Sequence, residues 1–323
     1  MGEVSVVMGT CNGAAFVRRQ VLSILGQRLR PSELVITDDA STDSTIELIT
    51  ELDAPADLKV RILRGTSRVG IAANFTRGLA AATSAFVALC DQDDEWHVDK
   101  LAAQVPLMAS AEVMAVCSDA RLVSTDGRPL GQTYWERTGF SRSNAGALEQ
   151  APLSALLRTN PITGNSMLFR REVVERALPI PEGAMHDYWL LLFAALMGEI
   201  ALIPRPLLDY RQHESNAIGV GPRPGIRSGF ARRPGAPAWS ELEMFRMLGA
   251  RLNEEAWVKG GDRALVASKL RFLERRERLP SGTVRRIPRV LELLREPEGY
   301  RRYGRGVGSA VADVLAAPSQ RRS

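Results

Sequence analysis

Cysteine and histidine are both scarce, three of each in 323 residues. Cys11, Cys90 and Cys117 form no C-x-x-C pair and are odd in number. That argues against a disulfide framework or a structural zinc, and for a reducing compartment. His97, His186 and His213 lie far apart in the chain, and a lone histidine is ordinarily structural or exposed. No secretory leader is expected, because Glu3–Met8 (EVSVVM) enters a strand-like run at once. Long apolar runs are lacking too. The longest, Tyr188–Ile203, is broken by Glu199 and reads as a buried helix followed by a strand, not a membrane span. A cytoplasmic protein is expected. No internal repeat and no nucleophile motif stand out.

What is present is an ordinary globular composition, 45% hydrophobic and 24% charged, on a chain long enough for one large domain or two. The charge is unevenly placed. Residues 217–323 hold 22 of the 42 Lys and Arg but only 11 of the 37 Asp and Glu, so a basic C-terminal region follows an acidic body. Such a region suits an anionic partner, for example phospholipid headgroups, a lipid-phosphate acceptor or nucleic acid. Arginine-rich coding on solvated helices explains it equally well.

The first 120 residues alternate strand and helix patterns. Strands are expected at Val4–Met8, Leu34–Thr37, Val60–Leu63, Phe86–Cys90 and Val113–Cys117. Helices are expected between them, over Ala14–Gln27, Ser44–Leu52, Ile71–Ala82 and Val98–Ala109. This alternation predicts an α/β fold with a mostly parallel central sheet flanked by helices, whose ligands bind beyond the carboxyl ends of the strands. Residues 124–150 are polar and Gly-rich and read as a long loop. A strand (Ser166–Arg170), a short helix (Glu172–Ala177) and an apolar helix (Asp187–Met197) follow. Two short strands, Ile200–Ile203 and Leu207–Tyr210, are expected to be split by Pro204 and Pro206. The domain expected over 1–220 is followed by a Gly/Pro/Arg-rich linker, 221–237. A basic helical region, 238–323, has helix patterns at Ser240–Leu252, Ala264–Leu279, Val284–Leu294 and Val307–Leu315.

Three suggestive segments fall at expected strand ends: Thr10-Cys11-Asn12-Gly13, Asp38-Asp39 and Asp91-Gln92-Asp93-Asp94. The last piles carboxylates at the end of a buried strand, which is costly without a cation. Alternation points Asp91 and Asp93 the same way, so the segment is either a solvated acidic turn or a divalent-ion site. Asp38-Asp39 precedes a capped helix, where its dipole favours acids, and Asp39 is also fit to accept from a pyrimidine imide N–H. Asp187 opens an apolar helix and is either an N-cap or a general base on a rigid element. His213 can join Asp93 on a cation, and Arg211 can meet a phosphate. Asn160–Ser166 is a turn by composition, a connector or the lining of a cleft.

The order of these pieces resembles family 2 glycosyltransferases, and the form of DQDDEW…KL, HDYW and YRQH resembles their rhamnosyltransferase-type subgroup. The segments that carry the likeness are Ser5–Val17, Val35–Thr45, Arg68–Leu79, Ala88–Leu101, Asn160–Val173, His186–Gly198 and Pro206–Gly219. They span roughly residues 3–220. The resemblance implies a GT-A (Rossmann-like) fold, with Mg²⁺ or Mn²⁺ as cofactor. It implies nucleotide-sugar contacts from Thr10, Asn12, Asp39, Asp91 and Arg211, and metal ligands in Asp93, Asp91 and His213. Asp187 would be the base, and Trp96, Thr163, Gly164, His186 and Trp189 would line the acceptor cleft. Cys11 stands where the family usually has Tyr, and Arg68 where it usually has Asn.

The activity implied is inverting transfer from a nucleotide-diphosphate sugar to a glycan, glycolipid or polysaccharide hydroxyl. dTDP-rhamnose is favoured over a UDP-hexose, and peripheral contact with the inner face of the plasma membrane is implied. Two rivals are a sugar nucleotidyltransferase and a membrane- or nucleic-acid-binding module built on the basic region. The first lacks the Gly-rich, Arg-bearing opening loop that triphosphate binding uses, and the second leaves the acidic cluster unexplained. No nucleic-acid partner is expected, and nothing in the sequence sets the oligomeric state.

Overall fold

Strands form where β-branched and other apolar residues run without interruption, because a strand covered on both faces needs no polar side. β1 (Val4–Thr10), β2 (Glu33–Asp38), β3 (Lys59–Arg64) and β4 (Phe86–Asp91) obey this, except for β3, whose pattern is largely exposed or half-buried. This is a computed structural model, and it describes residues 3–213, 240–304 and 306–315. Between the strands run α1 (Val17–Leu25), α2 (Thr45–Thr50) and α3 (Ile71–Ala81). Gly78 on α3 is required by packing, since a Cβ there would meet Thr37 and Val7 at 2.8 Å.

The chain continues through β5 (Glu95–Trp96), α4 (Lys100–Gln104), β6 (Val113–Ser124) and β7 (Pro129–Thr133). Next come α5 (Tyr134–Thr138), α6 (Arg142–Gln150), α7 (Pro152–Leu156), β8 (Met167–Arg170) and α8 (Arg171–Ala177). α9 (His186–Met197) and β9 (Glu199–Gln212) follow. The sheet runs β3-β2-β1-β4-β8-β6-β9-β5, with β7 on β6. β3, β2, β1 and β4 are mutually parallel. Beyond β4 the sheet is mixed: β8 is antiparallel to β4 and β6, while β9 is parallel to β6. The α/β fold with a helix-flanked sheet is as expected, and its parallel character is concentrated in the N-terminal half.

Two expectations fail here. Residues 124–150 are not one long loop: they hold β7, α5 and α6. α5 is closed by a capping box, with Thr133 accepting from the Glu136 N–H and Glu136 from the Thr133 N–H, and it ends on Gly139 at φ 73°. Leu207–Tyr210 and Ile200–Ile203 are one strand, β9. Pro204 and Pro206 are tolerated because the register with β6 shifts between Ser118 and Arg121, opposite the proline stretch.

The chain divides into two compact units, residues 1–152 with 161–216, and residues 153–160 with 217–323. The expected linker, 221–237, lies outside the described residues. The second unit contains α10 (Glu241–Glu254), α11 (Gly260–Glu277), α12 (Thr283–Arg295), α13 (Tyr300–Tyr303) and α14 (Val307–Leu315). α10 packs on α11 and α12 on α14, around Phe245, Phe272, Tyr300 and Tyr303. Two cations, one buried and one half-buried, are matched there. Lys269 meets Glu241 at 2.7 Å, and Arg276 forks onto Asp313 at 2.7 and 3.0 Å. Among the described residues, no helix is long and apolar enough to cross a membrane.

Candidate active site

The carboxyl ends of β1, β2 and β4 open onto one edge, and each delivers a loop that is held by the others. After β1, Asn12 takes a positive φ of 51°, as does Ala40 after β2 at 53°, both unfavourable for residues with a Cβ. Asn12 is kept there by its neighbours: its N–H donates to Ser41 Oγ at 2.9 Å, and its Oδ1 accepts from the Thr42 N–H at 2.8 Å. From the β4 side, the Gln92 amide grips the Cys11 backbone at both ends, accepting from N–H at 2.9 Å and donating to C=O at 3.1 Å. A side chain at residue 13 would collide with Gln92, so Gly13 is required.

The two acids after β2 divide their work. Asp38 shapes the turn, accepting from Thr10 Oγ1 and the Ser41 N–H, both at 2.8 Å. The Thr10 hydroxyl proton is thus taken by Asp38, and its oxygen keeps acceptor lone pairs. Asp39 accepts from the N–H groups of Val69 and Gly70, at 2.7 and 3.0 Å. Each of its oxygens keeps a lone pair for a further donor.

Asp91, Asp93 and Asp94 separate sharply. Burial and the charges of Asp93 and Asp187 raise Asp91 to a pKa of about 8. This is the signature of negative charge gathered without a cation. The Asp93 carboxylate lies 2.8 Å from His213 Nε2, and the His213 ring stacks on Phe16 with centroids 4.6 Å apart. One hard carboxylate and one imidazole nitrogen, beside a second carboxylate short of compensation, suit Mg²⁺ or Mn²⁺. Among the described residues, no group of three His, Cys, Asp or Glu converges as a finished metal centre. A cation here needs further oxygens from a ligand or water.

Asp94 faces inward. It accepts from the Arg211 N–H at 2.8 Å and from Asn165 Nδ2, whose Oδ1 in turn accepts from Trp96 Nε1 at 2.8 Å. Burial and the charges of Asp93 and Asp91 push its pKa well up.

Asp187 sits in the first turn of α9, and its Oδ1 accepts from the Tyr188 N–H at 2.7 Å. Its Cβ and Oδ2 lie against Gly164, where an added Cβ would come within 2.8 and 3.2 Å of them. His186 stacks on Phe75 at 3.9 Å, and burial lowers its pKa. Gly9 is what admits Phe75, whose ring would lie 2.7 Å from a Cβ on β1. Thr163 precedes the 3₁₀ turn Gly164–Ser166, and its carbonyl accepts from Ser166 Oγ at 2.7 Å.

The structure thus brings together Asp91, Asp93, His213 and Asp187, with Gly164 against the last. Three expected site residues serve elsewhere. Arg211 is 1% exposed, and its guanidinium donates to the carbonyls of Asp93 and Thr125 at 2.9 and 3.1 Å, so it is not presented to a phosphate. Trp189 is buried, its indole N–H on the Ala177 carbonyl at 2.8 Å, so it packs the core rather than lining a cleft. Trp96 is buried too, between Asn165 and Lys100, whose Nζ is 3.8 Å from the ring centroid.

Two tyrosines were missed. Tyr134 and Tyr210 meet edge to face at 5.5 Å; burial, then the charge of Asp187, raises the pKa of the first, and burial, then the charges of Tyr134, Asp94, Asp91 and Asp93, raises that of the second. Tyr134 lay in a stretch read as loop, and its only signal was an aromatic pair, Tyr134-Trp135, in polar surroundings. A cavity of about 420 Å³ lies over α1 and β5, lined by Arg19, Leu22, Ser23, Gly26, Glu95, Trp96 and Val98; its one carboxylate is Glu95, and it holds none of the acids above.

A mixed α/β sheet with carboxylates gathered beyond the ends of β1, β2 and β4 is the arrangement of a GT-A glycosyltransferase. The structure of the mannosyltransferase PcManGT from Pyrobaculum calidifontis, in complex with GDP-Man and Mn²⁺, shares this fold. The TM-score is 0.55 at 20% identity, covering 99% of this chain and 87% of that one. Residues 5–178 match glycosyl transferase family 2, and the chain belongs to that family. It is 28% identical over 217 residues to an uncharacterized glycosyltransferase from Nostoc sp. strain PCC 7120. That match covers 66% of each, so this chain spans just under two thirds of that relative's length. It is 25% identical over 225 residues to the dTDP-rhamnosyl transferase RfbG of Shigella flexneri, covering 66% of this chain and 74% of that protein.

Proposed function

We propose that this chain moves a sugar from a nucleotide-diphosphate donor to a hydroxyl of a glycan, glycolipid or polysaccharide by a single inverting displacement. The observation that carries this is the gathering of Asp91, the Asp93–His213 pair and Asp187 on one sheet edge. Family membership supports it. Asp39, with lone pairs to spare, holds the base of the nucleotide. Asp93 and His213, with Asp91, would hold Mg²⁺ or Mn²⁺, which when bound neutralises charge on the leaving diphosphate. Asp187 takes the proton of the acceptor hydroxyl as its oxygen bonds to the anomeric carbon, the bond to the diphosphate breaks, and a nucleoside diphosphate departs. dTDP-rhamnose is the favoured donor, supported by the DQDDEW…KL, HDYW and YRQH forms and by the likeness to RfbG; a UDP-hexose is the other candidate. The setting is cytoplasmic, at the inner face of a membrane that carries the acceptor.

Asp187→Asn tests the core of this. Transfer should fall by roughly 10²–10⁴-fold, the usual worth of a positioned base, while donor binding measured by calorimetry stays nearly intact. Retained turnover with lost donor affinity would overturn the assignment. A panel of nucleotide sugars assayed for donor hydrolysis identifies the donor. Pyrophosphate release from a sugar phosphate and a nucleoside triphosphate would make the protein a nucleotidyltransferase instead.

A further inference from the structure

The second unit exposes apolar surface that sugar transfer does not use. Six of the thirteen large apolar side chains exposed among the described residues sit on just two helices, α12 and α14. On α12 they are Val284, Ile287 and Leu291, and on α14 Val307, Val311 and Leu315, with Val284, Val307 and Leu315 exposed by 79, 67 and 55%. The spacings, i, i+3, i+7 and i, i+4, i+8, put each set on one helix face. α12 packs against α14, and Arg286 on the first donates to the Asp313 carbonyl of the second at 3.2 Å. Both helices are therefore fixed, and the stripes are the sides their packing leaves over.

The charges around the stripes are arranged with equal economy. Asp313 is the sole charged residue of α14, and it is turned inward onto Arg276 and the Tyr300 hydroxyl. The outer face of α14 is thus uncharged. In the same unit, Arg285 and Arg295 on α12 and Arg301 on α13 are exposed with no acidic partner among the described residues.

We propose that these two helices form a docking surface for a bilayer rich in anionic lipid. The stripes enter the acyl boundary, and the unpaired guanidinium groups meet lipid phosphates. Charge decides against a second copy of this chain, which would set arginine against arginine. Nucleic acid would use the arginines but leave the aliphatic stripes idle, since aliphatic side chains offer no stacking platform. The surface does not depend on which reaction the first unit performs.

The test is flotation of the full chain with phosphatidylcholine vesicles, with and without phosphatidylglycerol, over a range of salt. The chain should bind only the anionic vesicles, and less as salt rises. Ile287→Ser/Leu291→Ser and Val307→Ser/Val311→Ser leave the charge unchanged and should each weaken binding at least roughly tenfold, since each removes two apolar contacts. Arg285→Ser/Arg295→Ser should weaken it roughly 25-fold, about fivefold for each charge facing an anionic surface. All six positions are exposed, so thermal melts should match the native chain and show that the variants fold. Binding that ignores the serine substitutions, or equal binding to both kinds of vesicle, overturns the proposal. So does a native dimer that the substitutions dissociate with no vesicle binding. A chain that floats but transfers no sugar refutes the transferase and leaves the docking surface standing; the reverse result does the opposite.

Discussion

Adding one methyl group at residue 164 should slow sugar transfer far more than it weakens donor binding. A Cβ there would lie 2.8 Å from Asp187 Cβ and 3.2 Å from its Oδ2, where ordinary contact begins at 3.4 Å. About 0.6 Å must be found somewhere, and the surroundings give little. Ser166 is tied to the Thr163 carbonyl through both its N–H and its hydroxyl, at 3.1 and 2.7 Å. Asn165 is held between Trp96 and Asp94. On the other side, α9 is buried from Tyr188 to Ala194. The closest contact is with Asp187 Cβ, which no side-chain rotation moves, so the backbone at residue 164 or at the first turn of α9 must shift and carry the Asp187 carboxylate with it.

A misplacement of 1 Å costs on the order of 10²-fold, so roughly half of that distance should cost 10- to 100-fold in kcat for Gly164→Ala. That is about 1.4–2.7 kcal/mol on the barrier. The assay is initial transfer rate at saturating donor, with donor Kd by calorimetry and a melt to separate any overpacking loss, typically about 1–3 kcal/mol. Donor Kd should change less than roughly threefold, because the proposed donor contacts, Asp39 and Asp93, are not the groups that residue 164 touches. Gly146→Ala is the control. Nothing lies within 4 Å of a Cβ there, so the rate should hold and α6 should gain roughly 0.5–1 kcal/mol. An unchanged kcat in Gly164→Ala, or a Kd loss as large as the kcat loss, would refute the placement of Asp187 as base.

Three further outcomes are expected. Asp93→Ala should abolish metal-dependent donor binding, and a calorimetric metal titration like the native one would count against its role. Asn165→Leu removes the partners of Asp94 Oδ2 and of the Trp96 N–H, while Asp94 Oδ1 keeps the Arg211 N–H, and should cost about 2–4 kcal/mol in urea denaturation; a cost below about 1 kcal/mol would dissolve the network. Lys100 is fully buried, and burial lowers its pKa from 10.5 to about 7 despite Trp96 and Gln104 beside it. Between pH 7 and 9 the unfolded chain then binds the extra proton, so this group's share of stability rises with pH by roughly 2–3 kcal/mol. Asp91, raised to about 8, slopes the other way in native and variant alike and cancels in their difference. Native-minus-Lys100→Met stability should therefore climb across that window, and a flat difference would mean that Lys100 stays charged.

The N-terminal half was readable because its strands are buried on both faces and so spell themselves as unbroken apolar runs. Those runs end at Thr10, Asp38 and Asp91, and that is why the site's edge could be located before any geometry was known. The misreadings have local causes. α6 buries only Leu148, so residues 142–150 carry almost no periodic apolar signal. β5 is two residues long and exists only by pairing with β9. The prolines of β9 looked like breaks because a sequence does not reveal where a ladder has slipped register. Arg211 is the most instructive: nothing in Tyr210-Arg211-Gln212-His213 says that the guanidinium faces inward to backbone carbonyls while the imidazole two residues on faces Asp93. Gln92 and Gly164 acquire their roles only from partners distant in sequence.

The Gln92 grip on Cys11 bears on how such a protein can be re-engineered. Cys11 and Gln92 are 81 residues apart, and Asn12, Gly13 and Ala14 are each fastened to Ser41, Thr45 or Asp43. The loop after β1 is consequently not a cassette. Transplanting residues 10–14 alone would carry four backbone N–H groups, those of Cys11, Asn12, Gly13 and Ala14, into a host without their acceptors and leave the positive-φ turn at Asn12 unsupported. A donor-swapped chimera has to move at least three separate stretches together, the ends of β1, β2 and β4, and its crossover points belong in the helices between them.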